Sequence, residues 1–295
     1  MLAYGLGRLA PGDPAFLILE AAGEPPSPER VERMRQELGL EGPVWLAYGR
    51  WLLHVVQGDL GRSYRSREPV LKELGRAFPV TLSLALPAFG LSLILAVPFG
   101  LLSALRARSA VDHSLRVLAL LGNSLPSFLV GYLLILLLAV QFRLLPVAGR
   151  GGLESYIMPV LALAAGGAAS LTRLTRAGML EVLGEDYIRT ARSKGLSSRV
   201  VLYKHALRNA LVPVITVSGI RLAHLMAGAV VVETVFSWAG LGRLIVDSIA
   251  ARDYPMIQGF VLLAGTLFVS VNAVVDLSYR WLDPRVRLEE SIATN

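Results

Sequence analysis

Two long runs of this chain, Val80 to Leu102 and Val117 to Phe142, carry no charged residue. A bilayer core about 30 Å thick needs about 20 mostly apolar residues wound as a helix, because lipid cannot satisfy exposed backbone groups. Both runs therefore predict membrane spans, with Pro126 and Gly131 as kink points in the second. Tyr156 to Leu171 is shorter, and its stretch "LALAAGGAAS" is rich in small residues, which suits close packing inside a helical bundle. Leu211 to Val232 and Ile257 to Leu277 complete five predicted spans.

The first twenty residues, "MLAYGLGRLAPGDPAFLILE", are apolar but carry Arg8 and break at Pro11-Gly12-Asp13-Pro14. They cannot cross a bilayer intact, and they lack the charged start, unbroken apolar core and cleavage site of a signal peptide. Residues 1–19 read as the remnant of a truncated first span and its outer end. Residues 20–79 turn polar and read as an external segment with short helices. One of these is "SPERVERMRQELG", with Ser27 as N-cap, Pro28 at the first helical position, Gly39 as terminator and Val31, Met34 and Leu38 at helical spacing. Residues 80–282 form the predicted transmembrane domain, including a basic hairpin over 179–210, and 283–295 form a tail.

Composition agrees with a membrane protein: 54% of the 295 residues are hydrophobic and 17% charged, with a mean hydropathy of +0.56. The net charge of +7 fits either nucleic acid or positive loops beside spans, so its distribution decides. Arg173, Arg176, Arg189, Arg192, Lys194, Arg199, Lys204 and Arg208 crowd one interspan segment, whereas the opposing loops hold Arg143 and Arg150, then Arg243 and Arg252. Short-loop arginines and lysines stay cytoplasmic, which places the hairpin inside and residues 20–78, 143–156 and 233–256 outside. Arg62, Arg65, Arg67, Lys72 and Arg76 pull the other way, from a segment near the length at which the charge rule weakens. Cysteine is absent, which excludes disulfides, thiol nucleophiles and thiolate metal sites. His54, His113, His205 and His224 are scattered without ligand spacing, so no metal site is predicted.

The hairpin reads "YIRTARSKGLSSRVVLYKHALRNAL" over residues 187–211. Met179 to Lys194 predicts one helix, Gly195 a left-handed cap, and Ser197 or Ser198 the cap of a second helix running into the next span. Val182, Leu183, Tyr187, Leu196, Val200 and Val201 supply apolar contacts ringed by cations. A partner with an apolar groove and an acidic rim fits such an elbow. DNA does not, because a recognition helix needs a free groove-facing row and this one is tethered to lipid at both ends. The remaining alternative is a solvated loop that only sets topology.

In the form "EDYIRTARSKGLSSRVVLYKHALRNALVPV", the hairpin resembles the cytoplasmic loop of binding-protein-dependent ABC importer permeases of the dipeptide, oligopeptide and nickel group. "RLAPGDPA", "GDLGRSYRSREPV", "VVVETVFSWAGLGRL" with "RDYP", and "DPRVR" extend the likeness, in order, over nearly the whole chain. The general signature of Glu-Ala-Ala, three residues, then Gly is here Arg189, Thr190, Ala191 and Gly195, and Ala239 stands where the group often has Pro. The resemblance implies an all-α integral membrane protein, the helical bundle of a type I ABC importer permease in the bacterial inner membrane, with both termini of a full-length form cytoplasmic. It also implies a second permease subunit in a heterodimer, two ATPase subunits, an external solute-binding protein and no cofactor. The ATPase-coupling residues would be Asp186, Tyr187, Ile188, Arg189 and Thr190, then Ala191, Arg192, Lys194, Gly195 and Leu196.

Other candidates concern the translocation path. Arg221 and His224 lie three residues apart on one face of a predicted span. Ionisable groups at that depth face a cavity or a partner, and a structural pairing with Asp276 or with the other subunit is the alternative. Asn123 and Ser124 could line the pore or hydrogen-bond between helices. Glu233 and Trp238 open an external loop whose "AGLGRL" resembles the family's re-entrant gating segment, unless Trp238 is only an interfacial aromatic. Arg62, Ser63 and Tyr64 could meet the binding protein or only the membrane surface. No phosphate-cradling GxxxxGK[ST] run and no Ser/His/Asp set appears, so no catalytic residue is predicted and ATP hydrolysis falls to partner subunits. A carrier driven by an ion gradient is the alternative, but it would need acidic relay residues in the spans, where only Asp276 approaches one. An intramembrane hydrolase, the third reading, would turn over substrate alone.

Overall fold

The computed structural model describes residues 28–37 and 44–282, with isolated positions 15, 16, 19, 25 and 27. Side chains at 44, 223, 224, 226–228 and 275–282 lie outside the described set, as do most of the expected first-span remnant and the whole of the tail. The described elements are helical, and the β pairing among them is one isolated bridge between Arg62 and Pro69. Among the described residues, three helices can cross a membrane by length and composition, or up to five if each of two bent pairs is one span.

The chain divides into two compact units, one of residues 1–80 and 239–266 and the other of 81–238 and 267–295. In the first, α1 (Pro28–Glu37) starts at the expected Pro28, with Ser27 O accepting the N–H groups of Arg30 and Val31. Helix α2 (Val44–Val56) follows. Helix α3 (Val70–Leu105) extends ten residues upstream of its predicted apolar core, and its start packs with α10 (Leu241–Ala250) and the beginning of α11 (Tyr254–Leu282). Val70, Leu74, Ala77, Leu241 and Met256 form that core.

In the second unit, α4 (Ala110–Ser124) and α5 (Ser127–Gln141) replace the single kinked span expected over 117–142, because the chain bends by 104° between them. Pro126 is the cause. Proline crowds the preceding residue out of the helical region, and Leu125 is extended at φ −83°, ψ 127°. The end of α5, Ile135–Gln141, is wound as a π-helix.

Helix α6 (Glu154–Gly184) runs well past the predicted Leu171, since Arg173 and Arg176 are compatible with helix and end only its apolar stretch. Its small residues work as expected. A Cβ on Gly167 would lie 2.8 Å from the Ser92 hydroxyl, and one on Gly122 would lie 3.2 Å from Ala169 Cβ. On Gly100 of α3 a Cβ would meet Thr175 Cβ at 2.5 Å and the Thr172 carbonyl at 2.7 Å. Small residues here let helix backbones approach closely. The hairpin follows as α7 (Asp186–Ser193) and α8 (Ser198–Ala210), and α9 (Val212–Val235) re-enters the bundle.

Candidate coupling hairpin and cavity

The single helix expected over Met179–Lys194 is broken. Helix α6 ends at Gly184, Glu185 is extended at ψ 148°, and α7 begins afresh at Asp186. The break frees α7 from the direction of α6. At its other end, Gly195 has φ +76°, as its sequence position predicted. The Leu196 N–H reaches the Ala191 carbonyl at 3.4 Å and the Gly195 N–H reaches Arg192 at 3.0 Å, the paired bonds of a Schellman cap. Ser197 holds the N-cap position of α8 by its backbone, without a side-chain bond. Within α8, Val201–Leu207 are π-helical.

Seven of the ten coupling candidates belong to α7 and divide by burial. Ile188 and Ala191 are buried and join Leu101 and Ala104 of α3, Met179 of α6 and Val201, Ala206 and Ala210 of α8 in one core cluster. They seat α7 on its own protein and are not available to a partner. Asp186, Tyr187, Arg189, Thr190 and Arg192 of α7, with Lys194, Gly195 and Leu196 after it, are exposed. Arg189 pairs with Asp186 at 3.2 Å, and the Asn209 amide donates to the Tyr187 hydroxyl at 2.8 Å, tying α7 to α8. Acidic Asp186 in the first turn and basic Arg192 in the last both suit the helix dipole. The exposed surface is thus cationic with two apolar spots, Tyr187 and Leu196, each 41% exposed.

Higher in the same unit, an open cavity of about 160 Å³ is lined by Ser92, Ser127, Gly166, Gly167, apolar side chains and Arg221. Arg221 Nη2 donates to the Ser170 hydroxyl at 2.9 Å, and that hydroxyl donates to Asn123 Oδ1 at 2.6 Å. Arg221 is therefore oriented by a relay across three helices. Asn123 serves the interhelical bonding weighed for it, and Ser124 ends α4 as an exposed residue. His224 lies in α9 with its side chain outside the described set, as does that of Asp276.

Glu233 differs from the loop expectation, whereas Trp238 stands in the loop after α9 but is buried and not an exposed interfacial aromatic. Glu233 is inside α9, fully buried, and accepts a 2.6 Å bond from Thr81. Trp238 is 1% exposed, packs edge-on against Tyr156 at 4.6 Å, and has Arg150 5.8 Å from its ring centroid. Neither lines the cavity. A carboxylate inside an apolar helix is retained by pairing, and a large aromatic flanked by small residues fills the core.

Two polar centres escaped the sequence. Asp112 of α4 holds Arg176 of α6 in a bidentate pair. In the first unit, Asp253 gathers Ser63 and the N–H groups of Tyr64 and Arg65, which joins the "GDLGRSYRSREPV" and "RDYP" motifs. Arg65 also lies 3.9 Å from Asp247. Of the three residues considered for meeting a binding protein, Ser63 is buried and holds the loop.

Comparison with known proteins accounts for this arrangement. Residues 96–288 match the family described as binding-protein-dependent transport system inner membrane component, and residues 1–85 match its N-terminal counterpart. A putative peptide transport system permease protein of Brucella abortus (strain 2308) is 46% identical over 98% of this chain and 94% of its own length. The dipeptide transport system permease protein DppB of Escherichia coli (strain K12) is 40% identical over 97% of this chain and 93% of its own. Among solved structures, the MetNI methionine ABC transporter in inward-facing conformations superposes with a TM-score of 0.61 at 17% identity, covering 71% of this chain and 96% of that one, which supports the fold. Nothing in these likenesses supports the ion-gradient alternative. The chain belongs to the family of binding-protein-dependent transport system inner membrane components, the multi-pass membrane subunits of ABC importers.

Proposed function

We propose that this chain is the permease of an ATP-driven importer of peptides or related small solutes, and that its exposed α7 face docks on an ATPase subunit. The observation that carries the reading is the division of α7 into a buried apolar side, Ile188 and Ala191, and an exposed cationic side capped at Gly195. A short helix seated this way moves with the bundle as a rigid body, and rigid-body motion suffices for alternating access. The relatives, a putative peptide permease and a dipeptide permease, suggest the cargo class.

In this reading a second, similar permease completes the path as a heterodimer, two ATPases hydrolyse ATP, and a solute-binding protein delivers cargo to the outer face. Residues 80–282 form the transmembrane domain, residues 20–79 lie outside, and the hairpin, the C-terminus and the N-terminus of a full-length form are cytoplasmic. The Arg221 cavity belongs to the translocation path, where an oriented guanidinium in apolar surroundings offers a counter-charge to a peptide carboxylate.

The test is uptake by proteoliposomes holding this chain with a partner permease, ATPases and a solute-binding protein. Peptide should accumulate only with ATP, and a proton ionophore should leave uptake unchanged. Uptake that collapses with the ionophore while ATP is held constant would overturn the reading.

A further inference from the structure

Asp112, in the first turn of α4, is only 1% exposed, yet both its oxygens are engaged from three directions. Arg176 of α6 donates through Nε at 2.7 Å and Nη2 at 2.8 Å. The Ser103 hydroxyl, near the end of α3, donates at 2.5 Å, and the Arg108 N–H of the α3–α4 loop at 2.9 Å. Arg108 itself is held at φ +66°, a conformation that costs a non-glycine residue and persists where surroundings impose it. A buried ion pair is weak support for stability, because desolvation offsets much of the attraction. What such a bidentate pair does supply is fixed direction and spacing.

Its place in the molecule gives that geometry a use. Leu101 and Ala104 flank Ser103 in α3 and, with Met179 one turn beyond Arg176 in α6, form the seat of Ile188 and Ala191 of α7. The clamp and the seat of the hairpin therefore adjoin along the same two helices. The close approach of Gly100 to Thr172 and Thr175 leaves no slack between α3 and α6 at this level. At the far end of α4, Gly122 lies against Ala169, and Asn123 accepts the Ser170 hydroxyl that also receives Arg221. Helix α4 is thus fastened to α6 at both of its own ends, through Arg176 beside the hairpin and through Ser170 beside the cavity.

We propose that α4 and α6 move as one lever, and that Asp112 and Arg176 are positioning residues which make a displacement of α7 arrive at the Arg221 cavity. This rests on the reading of α7 as the ATPase-coupling helix. Loss of the clamp should let ATP be hydrolysed without matching transport, since mutations along a coupling network shift coupling by about twofold to thirtyfold.

The experiment measures solute imported per ATP hydrolysed in proteoliposomes holding the complete importer, for wild type, Asp112→Asn, Arg176→Lys and Ser103→Ala. Asp112→Asn and Arg176→Lys should keep hydrolysis stimulated by the binding protein near wild type while the ratio falls about threefold or more. Ser103→Ala, which leaves the Arg176 fork intact, should fall between them and wild type. If Asp112→Asn fails to accumulate, Arg176→Lys, which keeps the charge and loses one arm of the fork, decides the question. An unchanged ratio overturns the proposal, as does a parallel fall of uptake and hydrolysis, which marks a pair needed only for assembly. Wild-type complex without ATP-linked uptake sinks the functional reading itself and is recognised before any variant is made.

Discussion

The Ser63 hydroxyl donates to Asp253 Oδ2 at 2.5 Å although the two residues lie 190 positions apart, and both are buried. The same carboxylate also receives the N–H groups of Tyr64, Arg65 and Met256, so one side chain closes the loop before α3 onto the start of α11. Asp253→Ala strands two buried donors, Ser63 and Met256, and two less buried N–H groups, and should destabilise the protein by about 3 kcal/mol, while Ser63→Ala removes one bond for about 1 kcal/mol. Thermal unfolding of the purified chain reads both, and the order of the two variants is the check.

At Gly100, α3 lies close against α6. Gly100→Ala places a methyl group 2.5 Å from Thr175 Cβ and against the Thr172 backbone carbonyl, which cannot turn away. Overpacking of this kind costs about 2 kcal/mol, to be read as a lower unfolding temperature. Gly184→Ala, with no atom within 4 Å of its added carbon, should be nearly silent.

Gly195 isolates backbone conformation from packing, because its φ is +76° and nothing lies within 4 Å of an added Cβ. Gly195→Ala should cost about 1 kcal/mol through the left-handed conformation alone, and Gly195→Asn less, since asparagine visits that region more readily. Unfolding of the two variants side by side gives the difference.

Arg221→Gln should lower peptide uptake about tenfold, the worth of one charge-assisted hydrogen bond, with ATP hydrolysis retained. Ser170→Ala, which keeps the charge but removes its support, should lose less. Unchanged uptake in Arg221→Gln takes this residue out of the path.

Signals carried by neighbouring residues were legible in the sequence. Glycine marked the end of α7, small residues marked α6 as an interior helix, and apolar runs marked the helices themselves. Pro126 announced a kink, but the 104° bend depends on how α4 and α5 pack once the helix is interrupted. The break at Glu185 carries no proline and no left-handed glycine, and it exists because Ile188 and Ala191 turn onto α3 and α8. Distant pairing was the least visible part. Arg176 counted as one more cytoplasmic charge until its partner Asp112, 64 positions away, neutralised it. Glu233 looked like the start of a loop because nothing local tells a buried carboxylate held by Thr81 from an exposed one.

Because the chain has no cysteine, single cysteines across α7 test the docking face directly. In the assembled importer, cysteine at the exposed positions of Arg189, Arg192 and Leu196 should cross-link to an ATPase subunit, and cysteine at buried Ile188 should not. Cross-links from those exposed positions to the external binding protein, or none to the ATPase in an actively importing complex, would contradict the account.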